Sequence, residues 1–358
     1  MGSYILKRLL LMIPTLLGVM LLVFAIVQFV PGGPIEQIIS EIENGANAGD
    51  RLNSGSDNVG DDQGGKYRGA EGLDPEMIKK LEKQFGFDKP APERFITMMW
   101  NYLRFDFGKS FRSDRSVISL IAEKMPVSAS IGLWMLIISY CVSIPLGIRK
   151  AVKDGTGFDL WTSGVITVGY AIPNFIFAIF LIVFFAGGSF YNYFPLRGLT
   201  SDNFETLSVW GKFTDYVWHL VLPLTAIGVS SFATMTLLTK NSFMDEIRKQ
   251  YVVTARAKGL KESSVLYGHV FRNAMLLVIS GFPGAFLAAF FTGSLLIETV
   301  FSLDGLGLLT YNSVIKRDYP VVFANLYILT LLGLIISLLS DLIASWIDPR
   351  IDFESREV

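Results

Sequence analysis

The sequence predicts an all-α integral membrane protein with six transmembrane helices. Three observations lead there. Of 358 residues, 51% are hydrophobic and only 18% charged, with a mean hydropathy of +0.46, too apolar for a soluble globule with a polar shell. Six apolar blocks occur at Leu9–Val30, 127–148, 160–187, 218–239, 275–299 and 321–347. Each can cross a hydrocarbon core of about 30 Å at about 1.5 Å per helical residue. Finally, lysines and arginines are unevenly shared between alternate connections.

That asymmetry sets the orientation. With the N-terminus inside, the short inside segments carry fourteen basic residues: Lys7, Arg8, Arg149, Lys150, Lys153, seven in 240–274, Arg350 and Arg356. The short outside segments carry four: Arg197, Lys212, Lys316 and Arg317. Cytoplasmic loops hold the basic excess, a bias that applies to short loops and leaves 31–126 out of the comparison. Six crossings then place both termini in the cytoplasm. The formal net charge of -1 carries no such information.

Residues 1–30 form a short tail and the first span. A cleaved signal peptide would have a shorter apolar region ending at a small-residue site, whereas this run ends at Pro31-Gly32-Gly33-Pro34; an uncleaved span is expected. Residues 31–126 form an outer segment. Within it, 44–70 is rich in Gly, Asn and Asp and lacks the apolar residues that offset ordering entropy, so a mobile insertion is expected. Asp74-Pro75 followed by Met77, Ile78, Leu81 and Phe85 has the cap, first-turn proline and spacing of a helix. Val117–Ala122 reads as another short helix. Five spans occupy 127–347, and 348–358 is a cytoplasmic tail.

Residues 240–274 are the long polar interval between spans four and five. Ser242 with Asp245 three residues on looks like a capping box, and Phe243, Ile247, Tyr251 and Thr254 recur at helical spacing, predicting an amphipathic helix stopped by Gly259. A second helical run covers Glu262–Val270. Lys240, Arg248, Lys249, Arg256, Lys258, Lys261 and Arg272 make the interval basic. Composition leaves two readings open: cytoplasmic anchoring or a docking surface.

The span middles carry no charge; Glu298 and Asp341 fall near span ends and Asp159 precedes the third span. This argues against a proton-coupled carrier, which needs titratable groups at depth. Cys141 is alone, and His219 and His269 have no spaced partner, so no disulfide, metal-protease or His/Cys/Ser centre is indicated and both histidines read as structural. Gly108-Lys109-Ser110 resembles the end of a phosphate loop, but Leu103 stands where its first glycine belongs. The chain is not expected to hydrolyse ATP itself. Gly169, Pro173, Gly281, Pro283, Gly284, Ala285, Ala288 and Ala289 are helix benders or small contact residues, either bundle packing or a pathway wall that changes shape. Phe175, Phe177, Phe180 and Phe184 read as lipid- or core-facing.

At Thr254-Ala255-Arg256-Ala257-Lys258-Gly259, followed by His269-Val270-Phe271-Arg272-Asn273-Ala274, the chain resembles the cytoplasmic signature of binding-protein-dependent ABC importer permeases, in the dipeptide/oligopeptide branch. The general signature Glu-Ala-Ala-x-x-x-Gly falls on Val253, Thr254, Ala255 and Gly259. Its Glu and first Ala are absent, and its Ile-x-Leu-Pro end is replaced by Phe271-Arg272-Asn273-Ala274, forms common in the peptide branch. The resemblance covers nearly the whole chain: Lys7-Arg8-Leu9-Leu10, Pro14-Thr15, Phe85-Gly86-Phe87-Asp88-Lys89-Pro90, Asp106-Phe107-Gly108-Lys109-Ser110, Leu222-Pro223, Ile297-Glu298-Thr299-Val300-Phe301, Gly305-Leu306-Gly307, Arg317-Asp318-Tyr319-Pro320 and Asp348-Pro349-Arg350. The insertion, with YRGAEGLDPE and LTKNSFMDEIRKQYVVTARAKG, is most similar to the Yej-type subgroup, whose importers take peptides and microcin C.

The resemblance implies a type I ABC importer permease-like bundle in the bacterial inner membrane. It further implies a second homologous permease forming a heterodimer, two ATPase domains or subunits and a periplasmic solute-binding protein, with no nucleic acid among the partners. No cofactor belongs to this chain; ATP and Mg2+ belong to the partner ATPase. The implied coupling residues are Thr254, Ala255, Arg256, Ala257, Lys258, Gly259, Leu260, Arg272 and Asn273. Ala255–Ser264 would dock in an ATPase cleft, with Ala255, Ala257 and Gly259 allowing close approach and Arg256 and Lys258 meeting acidic groups. Pathway or gating candidates are Pro173, Gly281, Pro283, Gly284, Glu298, Arg317 and Asp318; Asp304 reads as a solvated loop residue. Permeases for other substrates, such as nickel or glutathione, and a stand-alone channel or carrier are the alternatives.

Overall fold

A computed structural model describes residues 2–29, 83, 88–188, 190–291 and 295–347. The expectations for 31–34, the insertion 44–70, the helix opening at Asp74-Pro75, residues 84–87 and the 348–358 tail lie outside the described residues.

Among the described residues every regular element is helical, apart from an isolated bridge between Lys109 and Ser116. The long elements are α1 (Gly2–Phe29), α2 (Ala91–Tyr102), α3 (Val117–Val152), α4 (Gly157–Ala171), α5 (Asn174–Phe185) and α6 (Val209–Ile247). The polar interval continues as α7 (Gln250–Ala257), α8 (Glu262–Val265), a π-helical turn (Leu266–Val270) and α9 (Phe271–Ala274). Then come α10 (Leu276–Phe291), α11 (Leu295–Val300), α12 (Leu306–Ile315) and α13 (Tyr319–Ile347).

α1, α3, α6 and α13 are each long and apolar enough to cross a membrane. Two bent pairs bring the possible total to six: α4 with α5, bent by 95°, and Glu262–Ala274 with α10, bent by 52°. The first bend has a local cause. Ile172 precedes Pro173 and is extended at φ -85° and ψ 121°, because the proline ring crowds the helical conformation of the residue before it. The proline also supplies no N–H to continue the ladder.

Two expected boundaries are overturned. Val117–Ala122 is no separate short helix but the opening of α3, which runs through Pro126 and Pro145; within a long helix a proline removes a hydrogen bond and bends the axis without ending it. Ser242 caps nothing, since α6 continues through it to Ile247. A cap needs a chain that has left the helix, and no Gly or Pro separates Thr239 from Ile247.

The chain divides into two compact units. One comprises Lys124–Leu309 with residues up to Leu9 and from Leu332 on; the other comprises Leu10–Glu123 with Thr310–Leu331. In the second, Phe24 packs on Phe95 at 5.3 Å, while Tyr102 meets Phe107 at 4.9 Å and Tyr327 at 5.4 Å. Ser110 donates to Asp318 at 2.5 Å and the Phe111 amide donates to it at 2.9 Å. The Gly108-Lys109-Ser110 stretch is therefore a turn anchored by a buried carboxylate. In the first unit Tyr4 donates to Asp341 at 2.7 Å and Arg8 pairs with it at 2.8 Å.

Candidate functional site

The interval expected to couple, 240–274, is built around one core. Ile148 and Ala151 of α3, Phe243 of α6, Val252 and Ala255 of α7, and Val265, Leu266, Val270, Ala274, Met275 and Val278 form a buried apolar cluster. α7 is rich in β-branched residues, Val252, Val253 and Thr254, which have no strong intrinsic preference for helix. Burial of Val252 and Ala255 against that cluster holds it in place. The helical spacing in the sequence puts Tyr251 and Thr254 on the inward stripe. Instead the chain leaves the helix at Lys249, with φ -76° and ψ 152°, and the register restarts, so Thr254 is exposed and Val252 and Ala255 face inward. Tyr251 donates to Glu246 at 2.7 Å across this break. Burial and that hydrogen bond push its phenol above the usual range.

Gly259 closes α7. The Gly259 amide donates to Arg256 O at 2.9 Å and the Leu260 amide to Ala255 O at 3.4 Å, the paired bonds of a Schellman cap. Gly259 has φ +80°, and an added Cβ would meet nothing within 4 Å. Glycine is needed here for its left-handed backbone, not for room inside this chain. Arg256 forks onto Glu262 at 2.5 and 3.1 Å, tying α7 to α8. Thr254, Arg256, Ala257, Lys258, Gly259 and Leu260 are exposed, as are Arg272 and Asn273, whereas Ala255 is turned into the core.

Beside this core lies a buried ion cluster whose members look, in the sequence, like separate charges near span ends. Lys150, fully buried, pairs with Asp159 at 2.9 Å and donates to Thr162 at 2.7 Å, Ser163 at 2.8 Å and Asp159 O at 2.9 Å. Lys240 binds both Asp159 oxygens, at 2.8 and 2.7 Å, and pairs with Asp154 at 2.9 Å. The cluster joins α3, α4 and α6 where α6 nears the break before α7. The turn at Gly155, with φ +72°, folds α4 back so that Asp159 meets Lys150. The charges at 150 and 159 on either side of that glycine were the available signal.

A cleft of about 380 Å³ opens between α3, α6, α10 and α11. Its wall is apolar with hydroxyls from Ser128, Ser139, Tyr140, Ser231 and Thr234, and Glu298 lies in it. Glu298, a pathway or gating candidate, is 1% exposed and turned inward. It accepts from Ser128 Oγ and from the Leu308 amide, both at 2.8 Å, while Ser128 Oγ accepts from the Leu306 amide at 2.8 Å. These bonds cap the N-terminus of α12, where amide groups favour negative charge. A Cβ on Gly305 would sit 2.5 Å from Ser128 Oγ and 2.6 Å from Glu298 Cδ, so this glycine is demanded by close approach.

The remaining candidates are scattered. Pro173 forms the α4–α5 bend, and Gly281, Pro283 and Gly284 lie along α10 with only Pro283 buried. Arg317 and Asp318 form no ion pair: Arg317 takes φ 54° and Asp318 is buried on Ser110 and Phe111. Asp304 is exposed and paired with Lys124. Phe180 and Phe184 pack at 4.4 Å, and Phe177 packs against the core of the α5 region. His219 is buried with its Nδ1 2.7 Å from Asp215 O, and His269 is exposed.

Residues 143–353 match the family described as "Binding-protein-dependent transport system inner membrane component". The chain is 66% identical to the "Peptidoglycan transport system permease protein YejB" of Agrobacterium fabrum, covering 100% of both chains. It is 55% identical to the "Inner membrane ABC transporter permease protein YejB" of Escherichia coli O157:H7, over 99% of this chain and 100% of that one. The "Dipeptide transport system permease protein DppB" of Escherichia coli K12 is 30% identical over 98% and 99%. Permeases of this kind work with ATPase subunits that hydrolyse the ATP and with solute-binding proteins. On these matches the chain belongs to the binding-protein-dependent inner membrane permeases of ABC importers.

Proposed function

We propose that this permease conducts peptides, including peptidoglycan-derived and peptide-like compounds such as microcin C, into the cytoplasm. The end-to-end match to the Agrobacterium fabrum permease carries the reading. The chain crosses the inner membrane six times, counting both bent pairs, with both termini cytoplasmic. A five-span core, 127–347, carries the coupling loop 240–274. It pairs with a second, homologous permease, and two ATPase subunits holding ATP and Mg2+ dock on the loop; this chain binds neither.

The exposed face of α7 and its cap, from Thr254 and Arg256 to Leu260, is the docking surface, and Ala255 serves it from behind by anchoring α7 to the core. ATP-driven closure of the ATPases then moves α6, α7 and α10 together, because they share one apolar cluster. Ala257→Trp adds bulk to an exposed position and should abolish peptide uptake and ATPase co-purification while leaving inserted permease at wild-type level. Normal uptake by that variant would sink the docking reading.

Gly259 separates backbone from contact. Gly259→Asn, which tolerates a left-handed backbone, should keep most uptake. Gly259→Val should destabilise the cap by about 1–2 kcal/mol and lower uptake with insertion intact. Equal uptake by the two variants would mean that the Schellman cap does not shape the site.

A further inference from the structure

The cleft between α3, α6, α10 and α11 holds the carboxylate of Glu298, which among the described residues is paired with no cation. We infer that it binds the N-terminal ammonium group of the transported peptide, with Glu298 as the counter-ion. This rests on the peptide-import reading above and extends it to a site within the permease.

Four observations converge. Glu298 lines the cleft yet is 1% exposed, so its charge has been taken out of water. Ser128 and the Leu308 amide hold its oxygens, but these are neutral donors. Among the described residues no Lys, Arg or His pairs with Glu298, and the neighbouring charge is another carboxylate, Asp304, whose own partner is Lys124. A buried carboxylate without a counter-ion is a costly arrangement that a cationic ligand relieves.

The carboxylate is also fixed in position. The α12 amides and Ser128 orient it, and Gly305 leaves it room that any side chain would take. Preorganisation of this kind favours a ligand group of defined geometry such as an ammonium. Along the rest of the cleft the polar groups are hydroxyls, from Ser139, Tyr140, Ser231 and Thr234, which can both donate to peptide carbonyls and accept from peptide amides.

Length fits too. From Ser128 to Tyr140 the cleft follows α3 for about 18 Å, the reach of about five extended residues. Among the described residues that line the cleft none is basic, so the peptide's carboxylate end finds no partner among them and points away from Glu298. Binding is thus polar, with the amino end at Ser128 and Glu298.

The test uses the complete complex of both permeases and the ATPases in nanodiscs, without the solute-binding protein and in a cysteine-free background that includes Cys141→Ser. Thr234→Cys, exposed in the cleft wall, is labelled with a methanethiosulfonate reagent. Trialanine should slow labelling at least about tenfold more strongly than N-acetyl-trialanine at equal concentration, the least expected of one charge pair about 3 Å apart even with screening as strong as in water. Glu298→Gln should erase the difference. Ser128→Ala, which keeps the charge and removes a hydrogen bond, should retain it, and Glu298→Asp should retain part of it; these variants cover the case in which the amide fails to fold.

Equal protection by the two peptides in the wild type would overturn the inference. So would a difference that survives Glu298→Gln, or full protection by sodium or potassium ions alone, which would mark an inorganic-cation site. Uptake of labelled trialanine in cells tests the peptide-import reading separately. Normal uptake combined with no amino preference in the labelling of Thr234→Cys discards only the Glu298 site, whereas absent uptake discards the reading beneath it.

Discussion

Asp159→Ala should cause the largest loss of folded permease of any single polar substitution outside the coupling surface. The carboxylate is 4% exposed and receives two lysines, Lys150 and Lys240, through contacts of 2.7 to 2.9 Å. Lys240 retains Asp154 when Asp159 is removed. Lys150 does not; it keeps Thr162 and Ser163 as neutral acceptors but loses its counter-charge. Removing one member of a buried pair costs about 3–5 kcal/mol, because the remaining ion stays out of water. A melting temperature lowered by several degrees in detergent, with reduced yield of inserted protein, is the expected result. Adding Lys150→Met to Asp159→Ala should recover more than half of that loss, since the stranded charge goes with it. An unchanged melting temperature in Asp159→Ala would mean that the cluster does not hold α3, α4 and α6 together.

The second large effect is expected at Gly132. An added Cβ there would overlap the backbone carbonyl of Ala289, so α3 and α10 approach through bare backbone at this point. Backbone cannot yield as the tip of a side chain can, and overpacking in a tight interior typically costs about 1–3 kcal/mol or more. Gly132→Ala should lower thermal stability clearly, and Gly132→Val should prevent accumulation of the folded chain. Gly281→Ala and Gly284→Ala are the controls. A Cβ at either meets nothing within 4 Å, and alanine is favoured over glycine in a helix by up to about 1 kcal/mol. If Gly132→Ala melts with the controls, close α3–α10 packing is not a source of stability.

Local sequence signals reach only part of this. Gly281 and Gly284 stand out because they flank Pro283 in an apolar block, and Gly132 does not, although it is Gly132 that meets a neighbouring helix within this chain. Composition says which residues permit close approach; it does not say which face of a helix a neighbour occupies. The same holds for charge. Lys150 and Asp159 are legible as charges near span ends, but their pairing needs the turn at Gly155 to fold α4 back on α3.

Within 240–274 the sequence marks the right helical stop at Gly259, because a glycine after a helical run is a local signal. It misplaces the helix start and the buried face. Ser242 and Asp245 match a capping box in spacing, yet α6 persists through them, and persistence depends on what the far end of a long helix packs against. Phe243 is fully buried in the coupling core, which favours carrying the helix on past the nominal cap.

What the sequence by itself determined is the helical membrane class, the apolar blocks, the helical stop at Gly259 and the family. Each rests on composition, length or local motif, which are properties of contiguous residues. Only the tertiary structure decided that Glu298 and Asp318 turn inward, that Ala255 faces the core, and that Lys150, Asp159 and Lys240 form one cluster. Those outcomes depend on contacts between residues far apart in the chain, where burial determines whether a charged or small side chain meets solvent, a counter-ion or another helix.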